Sequence, residues 1–190
     1  MATRLVFLCH APTRSMREGG FPDPDEPADP GGLARAEAVV PRPSPEAVFV
    51  APGRVAADTA AAMGLTTCVA PALADIDHGA WRGRSLVEVQ AAEPEALMGW
   101  IMDPSSGAPG GERFLSVQAR VSAWMEAQAA SDHRILAITH QAVMRAALAH
   151  VLEIPPAAAF RIDIAPLSRL TLSFNRQWRF QGLGGEGGST

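Results

Sequence analysis

Leu5-Val6-Phe7-Leu8-Cys9-His10-Ala11-Pro12-Thr13 is the stretch whose reading decides the fold. Its apolar run has strand character, ends in a histidine and breaks at once into a turn carrying Pro12. A histidine at the carboxyl end of a strand, in an α/β pattern, sits where such folds place their ligands. A second such run follows far downstream, Ile135-Leu136-Ala137-Ile138-Thr139-His140. Two strand-end histidines can face each other across one pocket. One imidazole can attack phosphorus and carry the phosphoryl group as an N–P bond, while a second, protonated, stabilises the equatorial oxygens.

Outward from these two runs, strand and helix patterns alternate. Strands are expected over 4–8, 47–50, 66–69, 135–139, 161–164 and 169–174. Helices are expected over 33–40, 56–63, 86–102, 114–129 and 142–152, with Gly64 a favoured helix stop. Repeated strand–helix–strand units predict a three-layer α/β/α sandwich with a mostly parallel central sheet. Residues 18–32, rich in Pro, Gly and Asp, read as a surface loop near His10. Residues 1–181 read as one domain, and 182–190 as a Gly-rich disordered tail.

The 190 residues suit a single domain, and 47% hydrophobic with 19% charged residues is ordinary for a soluble globular protein. A formal net charge of -4 gives no reason to expect nucleic acid or an anionic membrane as partner. Lysine is absent, so all 16 basic residues are Arg, and any anion site must be built from Arg, His and backbone N–H groups. Two cysteines, Cys9 and Cys68, are too few for a disulfide framework, and a reduced cytoplasmic setting is the expectation. The first apolar run is too short for a signal peptide or a membrane span. The sequence allows a homodimer without fixing the oligomeric state.

Two further constellations carry chemistry. In Leu73-Ala74-Asp75-Ile76-Asp77-His78-Gly79-Ala80-Trp81-Arg82-Gly83, two glycines four apart imply a tight loop. Asp75 at its start is either a general acid to a leaving alcohol or a turn-capping carboxylate. Pro109-Gly110-Gly111-Glu112 is a turn opening the helix that carries Arg120. Glu112 is either a second pocket carboxylate or a first-turn charge favoured by the helix dipole.

Taken together, these blocks resemble the histidine phosphatase superfamily, the phosphoglycerate mutase-like family, over residues 4–181. Cys9-His10-Ala11 stands at the family's Arg-His-Gly motif, with Thr13 also fitting. Ala51-Pro52-Gly53-Arg54-Val55-Ala56-Ala57-Asp58-Thr59-Ala60 matches its Ser-Pro-Leu-x-Arg-Ala-x-x-Thr-Ala block. Leu73 to Gly83 matches its acid loop, with Asp75 for Glu, and Gly110-Gly111-Glu112 its Gly-Gly-Glu turn. Thr139-His140-Gln141 and Arg145 match its second histidine motif. The resemblance implies that His10 is the phosphorylated nucleophile, Asp75 the acid/base and His140 the electrostatic partner, with no metal or organic cofactor and a small phosphorylated metabolite as substrate. Thr13, Arg14, Arg17, Arg54, Glu112 and Gln141 are the candidate substrate-binding residues.

The departures fall on the phosphate clamp. Cys9 replaces the Arg before the first histidine, and Val55 stands where the second pocket Arg is expected. Charge-assisted contacts are worth roughly 1.5–3 kcal/mol each, so losing two removes on the order of 3–6 kcal/mol, or roughly 10²–10⁴ in rate. Two readings follow: a phosphatase, weakened unless Arg14, Arg17 or Arg54 restores the anion site, or a pseudophosphatase that binds an anionic ligand without turnover. A thiolate-nucleophile loop fits poorly, because only four residues separate Cys9 from Arg14 and Pro12 removes a backbone donor. A metal site at Cys9, His10 and His140 has no supporting ligand spacing.

Overall fold

The fold is seen in a computed structural model that describes residues 2–39 and 43–185. Six strands form one sheet: β1 (Thr3–Cys9), β2 (Ala47–Val50), β3 (Cys68–Val69), β4 (Arg134–Thr139), β5 (Arg169–Asn175) and β6 (Gln177–Gly184), in the order β3-β2-β4-β1-β5-β6. The β1–β4, β2–β4 and β2–β3 pairs are parallel, whereas β5 runs antiparallel to both β1 and β6. A mostly parallel sheet needs both faces covered, which makes its central strands nearly continuous apolar runs. Accordingly, Leu5, Phe7, Leu8, Leu136, Ala137 and Ile138 are fully buried.

Among the described residues, eight helices pack around it: α1 (Arg14–Glu18), α2 (Pro30–Ala36), α3 (Arg54–Ala62), α4 (Leu86–Ala92), α5 (Pro94–Met102), α6 (Phe114–Gln128), α7 (Gln141–Leu152) and α8 (Pro156–Ala159). Helix α3 packs against β2 and β4, and α7 packs against β1, β6 and α6. Trp124 of α6 lies over the sheet, with ring centroids 6.0 Å from Phe7 and 5.3 Å from Phe49. A smaller cluster of Phe21, Trp81, Val89, Leu97 and Trp100 stands apart from the main core.

Several expectations from the sequence are corrected. Residues 161–164 are not a strand, because side chains of α7 take their carbonyls: Arg145 Nε donates to Ile162 O at 3.0 Å and Gln141 Nε2 to Ile164 O at 2.5 Å. The expected helix over 86–102 is two helices, since Pro94 cannot donate to the helical ladder and Glu93 adopts φ -140° and ψ 54°. Residues 18–32 are more than a loop: α1 ends there, α2 begins there, and Phe21 is only 3% exposed. Of the expected tail, residues 182–184 belong to β6, while 186–190 lie outside the described residues, as does the last residue of the helix expected over 33–40. No helix among the described residues is long and apolar enough to cross a membrane.

Candidate active site

The sheet register sets the two histidines side by side. Cys9 of β1 pairs with Thr139 of β4, so the next residue along each strand is His10 and His140, and His10 N donates to Thr139 O at 2.9 Å. From β1 the chain runs to β2, beyond β4; from β4 it runs to β5, on the far side of β1. Connections that leave neighbouring strands in opposite directions open a crevice at their carboxyl ends. In it the imidazoles meet edge to face, with centroids 4.8 Å apart and planes at 66°.

His10 Nδ1 lies 2.6 Å from the carbonyl oxygen of Ala11. A carbonyl only accepts, so Nδ1 carries the hydrogen and Nε2 the lone pair. Burial, followed by the neighbouring His140, pushes the His10 pKa down to about 4, so the ring is neutral at neutral pH. Its loop is anchored through Thr59, whose hydroxyl accepts from Ala11 N at 3.0 Å and donates to Val55 O at 2.7 Å. His140, at the start of α7, has no hydrogen-bond partner on either ring nitrogen among the described residues. Its Nδ1 approaches Asp75 Oδ2 at 3.4 Å, close enough for charge interaction but without hydrogen-bond geometry.

Asp75 reaches this position because two loops lock together. Glu112 N donates to Asp77 O at 2.8 Å and Ala80 N to Pro109 O at 3.2 Å. The approach demands glycine: Gly79 has φ +53°, and a Cβ there would come within 2.4 Å of Pro109 O. Arg120 completes the lock by donating to Ala72 O at 2.7 Å, Ala74 O at 2.8 Å and Asp75 O at 3.1 Å, while its fork grips both oxygens of Glu112 at 2.9 Å. Glu112 is therefore neither a cavity carboxylate nor a helix-dipole charge. It holds Arg120, and Arg120 holds the backbone of Asp75.

A cavity of about 650 Å³ opens above the histidines. Of the candidate residues, His10, His140, Asp75, Thr13 and Gln141 line it, whereas Arg14, Arg17, Arg54 and Glu112 do not. Nearby acids hold the three arginines elsewhere: Arg14 pairs with Glu18 at 2.8 Å, Arg17 with Asp29, and Arg54 with Asp58 at 3.6 Å. Among the described residues, the guanidiniums that do line the cavity are Arg82 and Arg145. Arg82 is taken by Asp77 through contacts of 2.9 and 3.1 Å. Arg145 is half-buried, held by Ile162 O through Nε, and interacts electrostatically with Asp163 first and then with Cys9 and Asp75. A cation contributed by α7 thus interacts with Cys9, the residue that precedes His10 on β1. Its sequence signal was its place five residues after His140 on a helix that starts at the pocket. Cys9 itself is fully buried, and burial raises its pKa to about 12, so it is a thiol and not a nucleophilic thiolate. Among the described residues no group of three or more His, Cys, Asp or Glu is placed to hold a metal ion.

Comparison with known proteins agrees with this geometry. A model of the histidine phosphatase superfamily (branch 1) matches residues 5–183. The "Bifunctional protein Rv2228c" of Mycobacterium tuberculosis is 31% identical over an alignment of 134 residues that covers 63% of this chain and 35% of that protein. The chain therefore spans about a third of the length of the curated relatives it matches. Among solved structures, a mycobacterial glucosyl-3-phosphoglycerate phosphatase in complex with VO3 superposes with a TM-score of 0.80 at 25% identity, covering 94% of this chain and 96% of that one. A structure named "Mycobacterial hydrolase 1" gives a TM-score of 0.80 at 25% identity, covering 96% and 98%. The chain belongs to the histidine phosphatase superfamily.

Proposed function

We propose that this member of the histidine phosphatase superfamily hydrolyses a small phosphomonoester through a phosphohistidine on His10. The observation that carries the reading is the fixed tautomer of His10, a neutral imidazole with its Nε2 lone pair free beside His140. In the first step Nε2 forms a bond to phosphorus as the bond from phosphorus to the ester oxygen breaks, and the Asp75 carboxyl passes its proton to the departing alkoxide. In the second step the Asp75 carboxylate takes a proton from water, water oxygen bonds to phosphorus, the N–P bond breaks and phosphate leaves.

Charge on the equatorial oxygens is met by His140, by Arg145 and by the backbone N–H groups that open α7, a twelve-residue helix with no side-chain cap. The nine-tenths-buried His140, with both ring nitrogens unpartnered, supports placing the phosphoryl group at that helix end. One guanidinium then does part of the work of the two arginines missing at Cys9 and Val55. The test is phosphate release from a panel of monoesters by wild type and His10→Ala. Release by wild type that disappears in the variant supports the enzyme. Equal background in both, with a phosphate analogue still bound, supports a pseudophosphatase that binds its ligand without turnover.

A further inference from the structure

We infer that the loop-built side of the cavity is a leaving-group subsite for an aromatic alcohol, so that the substrate ester carries a planar ring and no second anionic group. This rests on the phosphatase reading above and names its substrate class.

Three rings from three separate segments meet on that side and line the cavity: Phe21, from the segment between α1 and α2; His78, from the acid loop; and Trp100, from α5. Phe21 lies 5.1 Å from His78 and 5.3 Å from Trp100, and His78 lies 6.4 Å from Trp100, all tilted or edge to face. Such arrangements suit a further ring, which can add an edge or a face to an existing cluster. The wall is preorganised, because fully buried Trp81 backs it at 5.0 Å from Phe21 and 6.1 Å from Trp100. Burial also lowers the pKa of His78, which keeps this ring uncharged at neutral pH.

Charge on the same walls sets what the alcohol may not carry. Asp23, Glu26 and Asp77 line the cavity here, and the guanidinium of Arg82 is bound by Asp77. A carboxylate or a second phosphate on the leaving group would face this acidic wall. A polyhydroxylated leaving group would give up its water for ring faces, with only the indole N–H of Trp100 and the ring nitrogens of His78 to return hydrogen bonds. Both penalties vanish for an uncharged aromatic alcohol.

The test compares 2-phenylethyl phosphate, glycerol 3-phosphate and 3-phosphoglycerate, three alkyl esters whose leaving alcohols have similar basicity. The expected kcat/KM order is phenylethyl highest, by about tenfold or more, and 3-phosphoglycerate lowest. In Trp100→Ala the ratio of phenylethyl to glycerol ester falls about fivefold or more. In Asp23→Asn/Glu26→Gln 3-phosphoglycerate gains relative to the other two. Phosphate release that depends on His10 but shows no phenylethyl preference, or favours 3-phosphoglycerate, overturns the subsite while leaving the phosphatase reading intact. If no ester is turned over, binding of the three esters to His10→Ala by calorimetry decides the matter alone. The same order of affinities upholds the subsite, and equal affinities overturn it.

Discussion

His10 donates its Nδ1 hydrogen to the carbonyl oxygen of Ala11 at 2.6 Å, and this one bond selects which nitrogen can act. The acceptor belongs to the next residue, so the ring is oriented by its own backbone. Burial then keeps the free nitrogen unprotonated. The arrangement has a thermodynamic signature as well as a catalytic one.

That signature is a pH-dependent stability. The folded pKa, about 4, lies below the ordinary histidine value of 6.5. Above pH 6.5 both states are neutral at this residue and it contributes nothing to the slope. Between 6.5 and 4 the unfolded chain binds a proton that the folded protein refuses, so stability falls as pH falls. At 1.36 kcal/mol per unit, moving from pH 7 to pH 5 costs roughly 2 kcal/mol from this residue. In His10→Gln, whose amide can still donate to Ala11, that part of the slope disappears. Urea unfolding at the two pH values, for wild type and variant, reads the difference; equal slopes would show that His10 is not held neutral.

Arg145 is expected to act on the phosphoryl group. Arg145→Gln should weaken inorganic phosphate binding and lower kcat/KM by about 10- to 150-fold, the value of one charge-assisted contact. The same reasoning predicts a gain in Val55→Arg, because Val55 lines the cavity at the start of α3. An unchanged dissociation constant for phosphate in a folded Arg145→Gln would remove Arg145 from the site.

Asp75 and Arg120 should share a leaving-group signature. Asp75→Asn, which takes away the proposed proton donor, should cost about 10²–10⁴-fold in kcat for an alkyl ester, and far less for p-nitrophenyl phosphate, whose phenolate leaves unaided. Arg120→Met, which frees the backbone at Ala72, Ala74 and Asp75, should show the same contrast at smaller amplitude. Parallel losses on both esters would instead mark Arg120 as acting on fold alone.

The loop lock predicts unequal costs for two glycines that both have positive φ. Gly64 at +66° has nothing within 4 Å of an added Cβ, whereas Gly79 at +53° would drive its Cβ to 2.4 Å from a carbonyl oxygen. Gly64→Ala should cost only the backbone strain, about 1 kcal/mol. Gly79→Ala should cost about 2–4 kcal/mol and, at about 2–4 °C per kcal/mol, lower Tm by roughly 4–16 °C. Thermal melts of the two variants make the comparison.

Much of this was legible in the chain because strand-end chemistry is local. The runs ending at His10 and His140 announce both a buried strand and the residue it presents, and the Gly79 and Gly111 turns announce a close approach. What was not legible depends on partners distant in sequence. Nothing near Ile162 or Ile164 reveals that Arg145 and Gln141 will take their carbonyls and leave no strand. The turn into β6 uses Arg176 at φ +68°, without the Asn-Gly signal that marks a hairpin. Arg14, Arg17 and Arg54 lay close to motif residues in sequence, but nearby acids hold them outside the cavity. Arg145 reaches it from a helix more than a hundred residues downstream of Cys9.

The proposed chemistry rests on a covalent bond between His10 and phosphorus, which rapid acid-free quenching during turnover of a 32P-labelled monoester, followed by peptide mapping, detects directly. An acid-labile, alkali-stable phosphoryl group is expected on the peptide containing His10, attached at Nε2 and absent from His10→Ala. Label on another residue, or hydrolysis that proceeds at the wild-type rate in His10→Ala with no trapped phosphoprotein, would contradict it.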